Sequence, residues 1–152
     1  MSTDPLDAVR EIAARESGLA VVATFREDGS AQASVVNAGV VSHPVTGESM
    51  VGFAVRGRRR KLVNLRARPR TTIVFRSGWD WVAVEGDAEL AGPDDAIEGF
   101  DPGAVPRLLR EIYAAAVGGT ADDWTGMDQQ MADEGHSAVL VRPQRVYSNP
   151  SE

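Results

Sequence analysis

Residues 56–70 read RGRRRKLVNLRARPR and hold eight of the chain's sixteen basic residues: Arg56, Arg58, Arg59, Arg60, Lys61, Arg66, Arg68 and Arg70. No acid occurs between Glu48 and Asp80, although the 152-residue chain carries 22 acidic residues and a net charge of -6. A single-sign block of this kind is either a solvated face or an anion site. Its apolar positions Leu62, Val63 and Leu65 suit a short amphipathic helix, which Pro69 ends. The preceding SMVGFAV reads as a strand. A strand running straight into a helix that opens on arginines and a lysine suits a phosphate, because the first helical N–H groups are unpaired and the dipole end is positive. Arg would add a bidentate fork and Lys a point charge.

The other conspicuous side chains offer less. Trp79 and Trp81 in SGWDWVAVEGDAEL fall two apart, so strand alternation predicts one wall with two large rings. Such a wall is core, a subunit contact or a face against a planar aromatic ligand. His43 sits in a turn and His136 at a strand start, where both read as ordinary polar surface residues. Two histidines are too few for a histidine-built metal site, and zero cysteines exclude disulfides, thiol catalysis and cysteine-bound metal. The pairs Asp94-Asp95 and Asp122-Asp123 read as helix caps. No nucleophile-elbow, P-loop, dinucleotide-binding or zinc-hydrolase pattern is present, so no catalytic residue is assigned and any chemistry belongs to a cofactor.

A nucleic-acid module would use the same basic residues on backbone phosphates, with Trp79, Trp81 and Phe75 stacking bases. The shortness of the cluster, the acidic remainder and the lack of a recognisable motif make that reading the weaker one.

The elements around the basic stretch follow from period and punctuation. Asp4 can cap a helix with Pro5 at its first position, and Leu6, Val9, Ile12 and Ala13 recur at helical spacing until Gly18. LAVVATF, a turn at REDGS and AQASVVNAGVV make a hairpin, and SMVGFAV follows the turn SHPVTGE. After the basic helix, RTTIVFRS and WDWVAVEGDAELA are strands around Ser77-Gly78. GPDDAIEGFDPG is a loop, AVPRLLREIYAAAV a helix, DDWTGMDQQMADE weakly helical, and HSAVLVRPQRVY a last strand interrupted or edged by Pro143. Six strands joined by tight turns predict a mainly β domain over residues 1–152, an antiparallel sheet closed into a barrel with flanking helices. At this length folding buries roughly 70% of the unfolded chain's surface. The start MSTDPLDAVREIAARE lacks the features of a signal peptide, and no apolar run approaches the roughly 20 residues of a membrane helix, so a soluble cytoplasmic protein is expected.

Together, SVVN at 34–37, GFAVRGRRRKLVNLRARPRTTIVF at 52–75 and WVAVEGDAEL at 81–90 resemble the flavin and deazaflavin oxidoreductases of the split β-barrel kind, a superfamily that includes pyridoxamine phosphate oxidase-like proteins. The Ala/Arg-rich chain looks most like the actinobacterial branch that uses the deazaflavin coenzyme F420. The resemblance implies a six-stranded antiparallel split β-barrel and a homodimer with the cofactor at the subunit interface. It places the cofactor phosphate on Arg60 and Lys61, with Arg56 sharing the task. It runs Ser34, Val36 and Asn37 beside the tricyclic ring, and lines the neighbouring strand with Ala54 and Val55. Trp81 stands where relatives commonly place a cofactor-contacting glutamine, which puts that polar contact in question. The implied activity is hydride transfer from reduced F420 to a conjugated, electron-poor small molecule such as an enone, quinone or tetrapyrrole. The alternative is a flavin mononucleotide (FMN) oxidoreductase or flavin carrier using the same basic residues.

Overall fold

The computed structural model describes residues 4–149. Six strands, β1 (Leu19–Phe25), β2 (Ala31–Ser42), β3 (Ser49–Val55), β4 (Arg70–Ser77), β5 (Asp80–Ala91) and β6 (Ser137–Ser148), close into a barrel in the order β1-β2-β3-β6-β5-β4. Every neighbouring pair is antiparallel. The fold is therefore the mainly β split barrel expected from the sequence. Alternation explains the interior: Ala20, Val22 and Thr24 of β1 point inward and are buried, while Leu19 before them and Val21 between them remain exposed. Phe53, Ile73, Phe75, Val82, Val84, Val139 and Val141 complete this core.

Among the described residues four α-helices flank the barrel: α1 (Asp7–Arg15), α2 (Arg60–Ala67), α3 (Val105–Val117) and α4 (Asp128–Asp133). Helix α1 adds Val9, Ile12 and Ala13 to the barrel core, and Leu6 just before it joins them. It starts at Asp7, two residues after the Pro5 start that the sequence predicts, because residues 5 and 6 form a turn. Asp4 still receives the Leu6 backbone N–H on its carboxylate at 2.9 Å. Helix α3 buries Leu108, Leu109 and Ile112 in a second core with Met50, Ala138 and Leu140, on the outer side of β3 and β6. It lies so close to β2 that a Cβ at Gly39 would sit 2.6 Å from the Ala115 backbone, which only glycine allows.

The closing strand contains its proline at a bulge. Glu85 pairs with Arg145 and Gly86 with Pro143, leaving Gln144 unmatched, the position at which a sheet tolerates a residue without an N–H. Three expectations change. Trp79 lies in the β4–β5 turn and is 93% exposed, so it shares no strand face with Trp81. His43 is buried, its Nδ1 accepting the backbone N–H groups of Val45 and Thr46 at 3.1 and 3.2 Å. The His136 side chain is also largely buried rather than a surface group. Among the described residues no helix is long and apolar enough to cross a membrane.

Candidate functional site

The barrel is closed, but β2 and β3 are joined over only part of their length. The β2–β3 ladder runs from Ser42↔Ser49 to Ala38↔Phe53 and has no rung beyond it. From there β2 follows β1, with Asn37↔Leu19 and Val36↔Ala20, while β3 follows β6, with Ala54↔Ala138 and Val55↔Ser137. The two strands part, so residues 35–37 and 54–56 border a seam that no β2–β3 rung crosses. Two such edges offer donors and acceptors in one plane, which suits the hydrogen-bonding rim of a flat heterocycle.

A cavity of about 270 Å³ occupies this seam. Val35, Val36 and Asn37 form one wall, Ala54, Val55 and Arg56 the other, Ile112 and Tyr113 of α3 lie along it, and Arg59 and Lys61 form its cationic end. Of the residues singled out in the sequence, the fold thus gathers Val36, Asn37, Ala54, Val55, Arg56 and Lys61. It leaves Ser34, Arg60 and Trp81 outside the cavity wall. Arg60 is exposed, while Arg59, one residue earlier, lines the cavity. The side-chain amide of Asn37 is already engaged, donating to the Ser17 carbonyl at 2.7 Å. Trp81 stands on another face, its ring edge-on to Tyr147 at 6.1 Å, beside a surface hollow walled by Val74, Arg76 and Trp79.

The basic stretch divides into two groups. Five of its members have partners supplied by distant parts of the chain. Arg66 makes a bidentate pair with Asp95, with Nη2 at 2.7 Å from Oδ2 and Nε at 2.8 Å from Oδ1. Arg58 lies 3.4 Å from Asp94, Arg56 3.7 Å from Glu134 and Arg70 3.4 Å from Glu85. Arg68 donates to the Phe25 carbonyl at 2.8 Å. Asp94 and Asp95 are therefore ion-pair partners and not the helix caps expected, whereas Asp123 does cap, in a reciprocal box with Thr120. The other three, Arg59, Arg60 and Lys61, have no carboxylate partner among the described residues.

These three stand at the start of α2. Arg59 is the N-cap residue with extended backbone (φ -77°, ψ 155°), no side chain caps the helix, and its first turn holds no acid. Lys61 is half-buried there, and burial pushes its ammonium below the ordinary lysine pKa, with the Arg59 guanidinium adding to the shift. Helix α2 is fastened along its side instead: buried Asn64 donates to Thr24 Oγ1 at 3.0 Å and to Gln32 Oε1 at 3.2 Å, and Leu62 and Leu65 enter the barrel core. The site thus combines uncapped helical N–H groups, two cations without acids and two free strand edges. Residues of this kind fit a phosphate joined to a planar heterocycle.

Tyr113 was missed by sequence reasoning. It reads as one more apolar position of AVPRLLREIYAAAV, yet its ring lines the cavity and packs on Trp124 at 5.9 Å. Its phenol is pushed above the ordinary tyrosine pKa by burial first and by the Glu134 charge second, with Arg56 opposing. The one signal available was a hydroxyl on the face that α3 turns toward the barrel.

Comparison with known proteins supplies the family. The model for pyridoxamine 5'-phosphate oxidase matches residues 6–149. No curated protein matches the chain. Among solved structures, a conserved hypothetical protein from Mycobacterium tuberculosis is similar at 22% identity and a TM-score of 0.68, covering 97% of this chain and 84% of that one. A pyridoxamine 5'-phosphate oxidase-related, FMN binding protein from Nostoc punctiforme is similar at 14% identity and a TM-score of 0.67, with the same coverage of 97% and 84%. A heme binding protein from Mycobacterium smegmatis matches at 22% identity and a TM-score of 0.62, but this chain spans only 55% of its length. At these identities the structures speak for the fold, while the family model covers nearly the whole chain: the protein belongs to the pyridoxamine 5'-phosphate oxidase family.

Proposed function

We propose that the chain is an oxidoreductase that binds a phosphate-bearing deazaflavin, coenzyme F420, in the seam between β2 and β3 and uses it to reduce a conjugated, electron-poor small molecule. One observation carries the reading: Lys61, half-buried beside Arg59 at an uncapped helix start, has no acid paired with it among the described residues. A charge in that position is costly unless an anion arrives. Lys61 and Arg59 would hold the phosphate with the free N–H groups of α2, and Arg56 would close on it from the strand end. The free edges at 35–37 and 54–56 would hold the polar rim of the ring, while Val36, Val55 and Ile112 exclude water from it. When bound, such a cofactor supplies the hydride, so the protein's work is binding and orientation. Arg60, exposed just outside the cavity and with no carboxylate partner among the described residues, suits an anionic tail longer than one phosphate.

FMN is the second reading. The family and the FMN binding neighbour from Nostoc punctiforme favour it, and it needs the same phosphate site. Titrating purified protein side by side with the two cofactors separates them. Tighter binding of F420 is expected, whereas a yellow protein with a flavin spectrum after purification would replace the first reading by the second.

The partner in this reading is a second copy. The outer faces of β1 and β2 expose Leu19, Val21 and Val35, with Val35 65% exposed, and Tyr147 of β6 is exposed as well. Val35 also lines the seam, so a copy covering this face would close the cofactor cavity, and Trp81 with its hollow falls beside the same face. Exposed apolar patches of this kind mark association surfaces. Sedimentation should give a dimer, and Val35→Asp a monomer with weakened cofactor binding. Wild-type protein sedimenting as a monomer would remove the dimer from the account.

A further inference from the structure

A pocket of about 350 Å³ lies between the start of α3, helix α4 and the chain that leaves β5, and it shares no wall residue with the seam. Pro93, Pro102, Val105, Pro106, Leu109 and Met131 make its apolar wall. Its size falls within the roughly 300–1,000 Å³ of small-molecule sites. Three proline rings and a thioether form a surface against which a flat aromatic ring packs well. The polar side chains on the wall are Asp128 and His136.

This wall can accept hydrogen bonds but has none to give. Pro93, Pro102 and Pro106 carry no N–H. The backbone N–H groups of Gly92, Val105, Asp128, Gly135 and His136 already reach the carbonyls of Asp95, Pro102, Thr125, Ala132 and Met131, and Leu109, Met131 and Ala132 lie within the helical ladders of α3 and α4. The His136 Nδ1 faces two acceptors, the Met131 carbonyl at 3.2 Å and a Glu134 carboxylate oxygen at 3.8 Å. That fixes the proton on Nδ1 and leaves Nε2 an acceptor. Asp128 is an acceptor by nature. Arg110 Nε stands 3.1 Å from its Oδ1 without hydrogen-bond geometry, and Oδ2 has no partner among the described residues. Arg110 balances the carboxylate charge, so a ligand needs none of its own, but the unfilled oxygen calls for a donor.

We propose that this pocket binds a small, uncharged aromatic compound with one N–H donor, of the indole class, its ring against the prolines and its N–H donating to the Asp128 carboxylate. A carbonyl or carboxylate compound of the same size meets only acceptors here and is rejected. Binding breaks no bond and needs no cofactor, so it stands or falls apart from the reading of the seam.

The chain has only two histidines, His43 and His136, so the histidine Cε1–H proton resonances give a probe on the pocket wall and an internal control. Titration of the protein with indole should move the His136 resonance and leave that of buried His43 in place. Benzofuran has the same shape with a ring oxygen in place of the N–H. It should bind at least about tenfold more weakly, the worth of one hydrogen bond to a charged group. Asp128→Asn, which keeps the side chain's size but puts a donor on it, should bring the two affinities together. The comparison of indole with benzofuran on the wild-type protein needs no variant to fold. An unmoved His136 resonance, equal shifts at both histidines, benzofuran binding as tightly as indole, or an undiminished preference for indole in Asp128→Asn would each overturn the proposal.

Discussion

Helices α1 and α2 start under opposite electrostatic conditions. At α1, Asp4 accepts the Leu6 N–H, Asp7 sits in the first turn, and Arg10 reaches both carboxylates at 2.8 and 3.0 Å. The helix supplies its own anions to its positive end. At α2 no side chain caps, the first turn holds no acid, and Arg59, Arg60 and Lys61 crowd it. Neither N-cap residue makes a side-chain cap, but the first start carries carboxylates from its own segment while the second carries only cations, so an external anion would suit the second alone. The difference teaches where to look for function in an acidic protein: the positive charge that matters is not the most abundant but the part left without acids. Arg58 and Arg66 fasten the loop at Asp94 and Asp95, which a count of arginines alone does not reveal.

The largest effect expected from this contrast is on cofactor binding. Arg59→Ala combined with Lys61→Ala removes two charge-assisted hydrogen bonds and should weaken the cofactor by about 3–6 kcal/mol, measured by fluorescence titration. Arg60→Ala should weaken FMN little, since Arg60 lies outside the cavity wall. Equal losses for Arg60→Ala and the double variant would erase the distinction. Next in size is the fastening of α2. Asn64→Ala strands Thr24 and Gln32 and should lower stability by about 1–3 kcal/mol in urea unfolding.

A smaller effect inverts the comparison. Arg59 already has the extended backbone of an N-cap, so Arg59→Asp should make α2 resemble α1. The apoprotein should gain about 0.5–1 kcal/mol while cofactor binding is lost. A destabilised apoprotein would show that the start of α2 is not strained by its charges.

The smallest effect tests α1. The Leu6 N–H and then Arg10 hold the Asp4 carboxyl below its ordinary pKa. A lowered native pKa contributes stability above the unfolded value, near pH 4, and that stability fades as pH falls through the native value. Asp4→Ala should therefore lower the Tm slightly at neutral pH and leave it unchanged at pH 2. A difference that persists at pH 2 would assign the loss to packing.

Much of this was legible in the sequence. Strand alternation and turn residues mark all six strands within about two residues, because a half-buried sheet imposes its period on neighbouring positions. Arg56, Lys61, Val36, Asn37, Ala54 and Val55 are indeed brought to one cavity. The departures share a cause in long-range geometry. Whether Arg59 or Arg60 faces the seam depends on how α2 is fastened by Asn64 to a strand 40 residues away. The pairing of Arg66 with Asp95 spans 29 residues and leaves no local mark. His43 reads as a turn residue, and only the fold shows it buried within 3.2 Å of Glu89. Trp79 and Trp81 are two apart, but a turn that claims Trp79 breaks the alternation that would have aligned them.

The central claim is that the start of α2 exists to hold a phosphate. It is tested most directly by titrating the protein with FMN against riboflavin, and with F420 against its phosphate-free deazaflavin chromophore. The account predicts that in at least one pair the phosphate-bearing form binds more tightly by a factor of a hundred or more, about 3 kcal/mol, and that Arg59→Ala with Lys61→Ala brings the two forms of that pair together. Equal affinity with and without the phosphate in the wild-type protein would contradict it.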